Sequence, residues 1–324
     1  MREEIDFDKD WLFHRGDIEG EKKYPPYKGI SYMGAKTERC LIGPAARFYN
    51  DDPDCYSQSV EYKREKWERV TLPHDYIIGD EPDKNNNPAL GFFGYDNAWY
   101  RKKFTLPASD AGKRITVLFE GVATQAVVYI NGCIIKRNFC GYNTFEADIS
   151  DYVRFDEQNV LAVYVRADEH EGWWYEGAGI YRHVKLIKTS PVAADLWGIY
   201  VKPARVSDGR WRVTVETTVR NDLFSDKNVR VEGKIISPDG QTVAEGKTRG
   251  KVKSRSKKAL VFTVETDNPS LWSPDSPALY RAEVKIFAGK KQTDESGARF
   301  GFRYFETNPD KGLFINGKHY TIKG

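Results

Sequence analysis

Apolar and polar residues alternate with a period of two through most of this chain, and sustained 3.6-residue periodicity is almost absent. Segments of ordinary strand length stand at residues 114–120, 126–130, 159–165, 181–187, 211–219, 229–236 and 279–287. Each is rich in Val, Ile, Tyr, Phe and Thr, residues that pack well on a pleated surface. Asn131-Gly132 and Ser237-Pro238-Asp239-Gly240 read as turns between such segments. The pattern predicts an all-β, sandwich-like protein. Beyond Thr189-Ser190-Pro191 the strands become regular and turn-separated over about 110 residues, the size of an immunoglobulin-like sandwich. This places domains at 1–190 and 191–303.

The last segment, 304–324, has a different character. Gly312 to Ile315 is a short apolar strand, Asn316-Gly317 a two-residue turn, and Lys318 to Lys323 a second strand. A lone hairpin cannot bury its own faces in water, so this one is expected to lead into a larger domain. Residues 247–258, basic and small, read as a solvated strand edge or loop.

Composition adds that 8 Trp, 19 Tyr and 17 Phe make up 14% of the 324 residues, in keeping with β structure. The 50 basic and 47 acidic residues leave a formal charge of +3, spread along the chain, with no basic stripe for nucleic acid. No segment reaches the roughly 18 consecutive apolar residues of a membrane helix, and the start Met1-Arg2-Glu3-Glu4 lacks the apolar centre of a signal peptide. A cytoplasmic chain or an already processed one is expected. Cys40, Cys55, Cys133 and Cys140 show no metal-ligand spacing, so neither metal nor cofactor is expected. Cys133 and Cys140 flank a hairpin, and pairing and free thiols both remain open for them.

A set of motifs in register now carries a resemblance. Trp67-Glu68-Arg69-Val70-Thr71-Leu72-Pro73-His74-Asp75-Tyr76 is followed by Trp99-Tyr100-Arg101, Phe119-Glu120-Gly121-Val122 and Tyr129-Ile130-Asn131-Gly132. Further on stand Trp174-Tyr175-Glu176-Gly177-Ala178-Gly179-Ile180-Tyr181-Arg182, Asn268-Pro269-Ser270-Leu271-Trp272 and Phe300-Gly301-Phe302-Arg303. In this order they resemble glycoside hydrolase family 2 over essentially the whole chain. The resemblance implies a jelly-roll, galactose-binding-like domain, then an immunoglobulin-like sandwich, then a TIM barrel that would begin where residues 304–324 end. It implies a retaining exo-β-glycosidase of β-galactosidase type, with β-glucuronidase and β-mannosidase as alternative parent activities. An autonomous carbohydrate-binding module is the alternative role. In the family the acid/base and the nucleophile are two barrel glutamates, held roughly 5 Å apart. No catalytic residue is therefore expected in this chain, which is expected to be inactive alone. The partners implied are a carbohydrate and the barrel, and the oligomeric state stays open.

Asp168 follows the strand at 159–165 and is either a solvated turn carboxylate or, as the resemblance implies, a sugar contact at the barrel mouth. Asn97, in Gly94-Tyr95-Asp96-Asn97-Ala98, sits on a second candidate contact loop. Trp173 and Trp174 offer flat faces suited to pyranose C–H surfaces, and equally suit internal packing. His74 and Asp75 place an imidazole beside a carboxylate, yet adjacent side chains point apart and no nucleophile is linked to them. They are expected, with Glu176, Tyr181 and Arg182, to tie loops or to meet the barrel. Glu171-Gly172-Trp173 and Glu176 depart from the residues common in relatives, which leaves the sugar subtype open.

Overall fold

The computed structural model describes residues 1–18, 44–45, 67–168 and 175–323. The chain forms two compact units, Glu3–Lys188 and Thr189–Gly324, the latter joined by Met1–Arg2. Among the described residues all regular structure is strand, apart from 3₁₀ turns at Pro88–Leu90 and Ala108–Asp110.

The first unit contains β1 (Glu3–Asp6), β2 (Trp11–Arg15), β3 (Glu68–Val70), β4 (Ala98–Thr105) and β5 (Arg114–Phe119), followed by β6 (Gln125–Ile130), β7 (Cys133–Asn138), β8 (Phe145–Asp148), β9 (Gln158–Arg166) and β10 (Val184–Thr189). They form a four-stranded sheet, β1-β10-β5-β8, and a six-stranded sheet, β3-β2-β4-β9-β6-β7. β1–β10 and β5–β8 in the first sheet, and every pairing in the second, are antiparallel. Two-residue alternation sends Tyr100, Leu161, Val163 and Val128 from one sheet, and Ile115, Val117, Phe119, Val184 and Leu186 from the other, into one core.

The six-stranded sheet is covered on its other side as well. Trp99, between core-facing Ala98 and Tyr100, is fully buried with Leu12, Ile18, Ala45, Trp67 and Ala162. Its ring meets Tyr164 at 4.9 Å and Tyr129 at 5.7 Å. Burial on both faces explains why residues 98–102 read as a continuous rather than an alternating buried run. Asn131 takes a left-handed φ of 49°, as a two-residue hairpin turn requires. Cys133 is half-buried and Cys140 exposed, and they are not bonded to each other. Cys40 and Cys55 lie outside the described residues.

The strand expected at 181–187 begins only at Val184. Tyr181, Arg182 and His183 instead belong to the loop end, because the chain at Gly179 turns at φ 122° to pair with Ala123.

The second unit contains β11 (Val192–Ser207), β12 (Arg210–Asn221), β13 (Lys227–Ile236), β14 (Thr242–Val252), β15 (Ser256–Asp267), β16 (Tyr280–Ala288) and β17 (Lys291–Phe300). Its sheets are β11-β12-β15 and β14-β13-β16-β17. Gly233 and Gly246 stand opposite each other on β13 and β14. A Cβ on either would lie 2.2–2.3 Å from the ring of Phe262, so the missing side chains form the seat for that ring. The basic stretch at 247–258 is thus the edge strand β14, the following turn and the start of β15. On β14, Gly246 and Gly250 face inward against Phe262 and Leu260, while Lys247, Arg249 and Lys251 face solvent.

The last strands, β18 (Phe305–Asn308), β19 (Gly312–Ile315) and β20 (Lys318–Tyr320), make a three-stranded sheet rather than a lone hairpin. Asn316 and Gly317 both take positive φ in the turn. Asn316 also donates through Nδ2 to the Trp272 carbonyl at 2.9 Å and accepts from the Tyr304 amide at 3.1 Å, tying the sheet to its unit.

Candidate functional site

In the first unit, the loop from β3 to β4 meets the loop from β9 to β10, and nearly all the candidate residues fall on these two segments. Asp75 joins them. Its Oδ1 accepts from the Ile77 amide at 3.0 Å and the Ala178 amide at 3.1 Å, and its Oδ2 accepts from the Tyr175 hydroxyl at 2.8 Å. Desolvation, reinforced by that bond to a carboxylate, pushes the Tyr175 phenol above its ordinary range. Gly177, at φ 69°, passes so close that a Cβ would lie 2.5 Å from Asp75 Oδ2, so only glycine fits.

His74 points the other way. Its Nδ1 lies 2.8 Å from the Tyr100 hydroxyl, and its ring packs edge-on against Phe13 at 4.7 Å. Burial lowers its pKa and favours the neutral ring. Its amide donates to the Ile180 carbonyl at 2.8 Å and the Tyr76 amide to that of Ala178 at 3.1 Å, so the two loops also share backbone bonds. The adjacent imidazole and carboxylate therefore serve two directions, one into the core and one across to the second loop.

Residues 94–97 form the hub. The Tyr95 hydroxyl accepts from the Glu176 amide at 3.3 Å. Asn97 is buried, accepting from the Ala167 amide at 3.1 Å through Oδ1 and donating to Asp17 Oδ1 at 3.4 Å. Its amide anchors the strand end that presents Asp168. The Asp168 carboxylate is 46% exposed, 3.2 Å from Arg166 Nε. Beside the hub, Arg15 bridges Asp80 at 2.8 Å and Asp96 at 3.1 Å, donates to the Gly94 carbonyl at 3.0 Å, and lies over the Tyr76 ring. Sequence reasoning did not single out Arg15, Asp80 or Asp96. Their separation of 65 and 81 residues along the chain leaves no local pattern to find.

Tyr181 donates its hydroxyl to the Gly141 carbonyl at 2.7 Å, and Arg182 lies exposed with Nη2 3.9 Å from Glu120. Trp173 and Trp174 lie outside the described residues. Among the described residues no group of three His, Cys, Asp or Glu side chains is placed to hold a metal ion. The rim thus offers carboxylate acceptors beside arginines, on loops pinned by hydrogen bonds. Such a rim suits binding of hydroxyl-rich ligands.

Residues 60–190 match the family model described as glycosyl hydrolases family 2, sugar binding domain, and residues 194–303 match that of glycosyl hydrolases family 2. Over its full length the chain is 31% identical to beta-galactosidase BoGH2A of Bacteroides ovatus, covering 34% of that protein. It is 30% identical over 305 residues to a beta-glucuronidase of Formosa agariphila, covering 86% of this chain and 31% of that one. A crystal structure of a glycosyl hydrolase family 2 member from Bacteroides cellulosilyticus superposes with a TM-score of 0.79 at 30% identity, over 99% of this chain and 39% of that one. A beta-glycosidase structure from Bacteroides vulgatus gives 0.79 at 28% identity, over 99% and 36%. The chain spans about a third of the length of the curated relatives it matches.

Proposed function

Because this chain belongs to glycosyl hydrolase family 2, we propose that it supplies the non-catalytic β domains of a retaining exo-β-glycosidase of β-galactosidase type. Its first unit lines one wall of the sugar pocket, with Asp168 reaching a sugar hydroxyl. Both units buttress a barrel formed by chain outside these 324 residues. The observation that carries this reading is the loop junction itself. Asp75, Asn97 and the amides of Glu176 and Ala178 hold an exposed carboxylate rim in place. Retaining hydrolysis needs one carboxyl as acid and a second as nucleophile. On this rim Asp168, Asp80 and Asp96 each sit against an arginine and offer oxygens that can accept from sugar hydroxyls. The relative named as a beta-glucuronidase keeps β-glucuronide as the alternative substrate.

The isolated chain is expected to show no turnover of nitrophenyl β-galactoside, β-glucuronide or β-mannoside. Turnover that survives repurification and disappears when an acidic residue of this chain is replaced would overturn the reading. Calorimetric binding of galactose tighter than millimolar would favour an autonomous binding module instead, since a pocket with one wall lacks convergent contacts.

A further inference from the structure

Arg15 closes strand β2 and stands opposite Ala98, the residue at which the loop after β3 re-enters the sheet as β4. From that position on the sheet its guanidinium grips the loop at three places. Nη1 and Nη2 hold the two oxygens of Asp80 at 2.8 and 2.7 Å, Nε donates to Asp96 Oδ2 at 3.1 Å, and Nη2 donates to the Gly94 carbonyl at 3.0 Å. All three nitrogens thus face the loop. A planar fork reaches a carboxylate bidentately and two further acceptors at once, which the point charge of a lysine does not.

The same segment is fixed from two more sides. The Tyr76 hydroxyl donates to the Asp96 carbonyl at 2.5 Å, and the Gly16 amide, next to Arg15, donates to the Asn97 carbonyl at 2.6 Å. Asn97 Oδ1 in turn accepts from the Ala167 amide at 3.1 Å, the residue before Asp168. A continuous set of bonds therefore runs from Arg15 through residues 94–97 to the strand end that presents the rim carboxylate. We propose that Arg15 is a positioning residue for the sugar pocket: by clamping residues 94–97 it fixes Ala167, and with it the direction in which Asp168 meets a sugar hydroxyl. This rests on the reading of Asp168 as a sugar contact. A partly exposed ion pair contributes little to stability. A misplacement of about 1 Å, by contrast, can cost about a hundredfold in rate, so a brace remote from the chemistry has more leverage on catalysis than on folding.

Hydrogen exchange and a double-mutant cycle test it. In the 324-residue chain, Arg15→Ala should speed exchange at the Ala167 amide and in residues 94–97 roughly tenfold or more, while the amides of the central strand β6 keep their protection. Arg15→Lys, which keeps the charge but not the fork, should speed the same amides roughly threefold or more, and it carries the test should the alanine variant not fold. In an enzyme carrying the catalytic barrel, Arg15→Lys should lower kcat/KM roughly threefold or more, and should lower it no further in an Asp168→Ala background. The proposal is overturned if exchange at Ala167 is unchanged in the folded variants, if β6 accelerates by the same factor, or if the kinetic losses from Arg15→Lys and Asp168→Ala simply multiply. If Asp168→Ala alone leaves kcat/KM unchanged, the pocket-wall reading itself is wrong, and the role of Arg15 in the reaction falls with it.

Discussion

The Asp168 carboxylate, nearly half exposed beside the Arg166 guanidinium, has little to contribute to folding. In an enzyme carrying the catalytic barrel, Asp168→Ala is expected to lower kcat/KM roughly ten- to hundredfold, the loss of one charge-assisted hydrogen bond of about 1.5–3 kcal/mol. The melting temperature should hold. Unchanged kinetics on several β-glycosides would leave this residue a solvated turn carboxylate. Two histidines should set the pH dependence of stability in opposite directions. His183 Nδ1 lies 2.6 Å from Asp8, a bond that raises its pKa, with Glu120 and Asp6 adding attraction. Its contribution is complete below the ordinary 6.5 and is lost as pH rises through the raised folded-state value. Burial lowers the His74 pKa, so its contribution is present above 6.5 and is lost as pH falls towards the lowered value. Urea midpoints across pH 5–8 should show that His183→Gln removes the decline on the alkaline side alone. A decline there that persists in the variant would assign it to another group.

Among the elements, the β13–β14 pair was legible as strands but not as a socket. Gly233 and Gly246 look like weak points in a strand until Phe262, from the opposing sheet, is seen to occupy the space above them. Phe262→Ala is expected to cost about 3–5 kcal/mol, and Gly233→Ala about 1–3 kcal/mol through overpacking. Combining Gly233→Ala with Phe262→Leu should cost less than the sum, because the shorter side chain clears the added methyl. Chemical denaturation of Gly233→Ala, Phe262→Leu and their combination measures this, and strict additivity would mean the ring does not seat there. The terminal sheet shows the converse. Its Asn316-Gly317 turn was readable from the dipeptide, whereas the third strand β18 and the Asn316 bonds to Trp272 and Tyr304 depend on residues up to 44 positions away.

For the whole molecule, the least legible feature is that Met1 and Arg2 belong with residues 189–324 while Glu3 begins the first unit. Arg2 donates to both oxygens of the fully buried Asp294, at 3.2 and 3.0 Å, and to the Ala194 carbonyl at 2.8 Å. Arg2→Ala should destabilise the second unit by about 3–5 kcal/mol, since it leaves a buried carboxylate without its counter-charge. Asp294→Ala added to it should recover part of that loss. A variant that melts like wild type would mean solvent reaches Asp294. What the sequence determined by itself was local: period-two alternation specified strands, Asn-Gly and Pro-Asp-Gly specified turns, and motifs in register identified the family. Tertiary structure alone decided which side chains meet. The Arg15 bridge to Asp80 and Asp96 and the Asp75 tie to residues 175–178 each join residues distant in sequence. Backbone preferences act over a few residues and leave a trace in sequence, whereas these contacts form only when folding closes long loops, and no local pattern records which ends will touch.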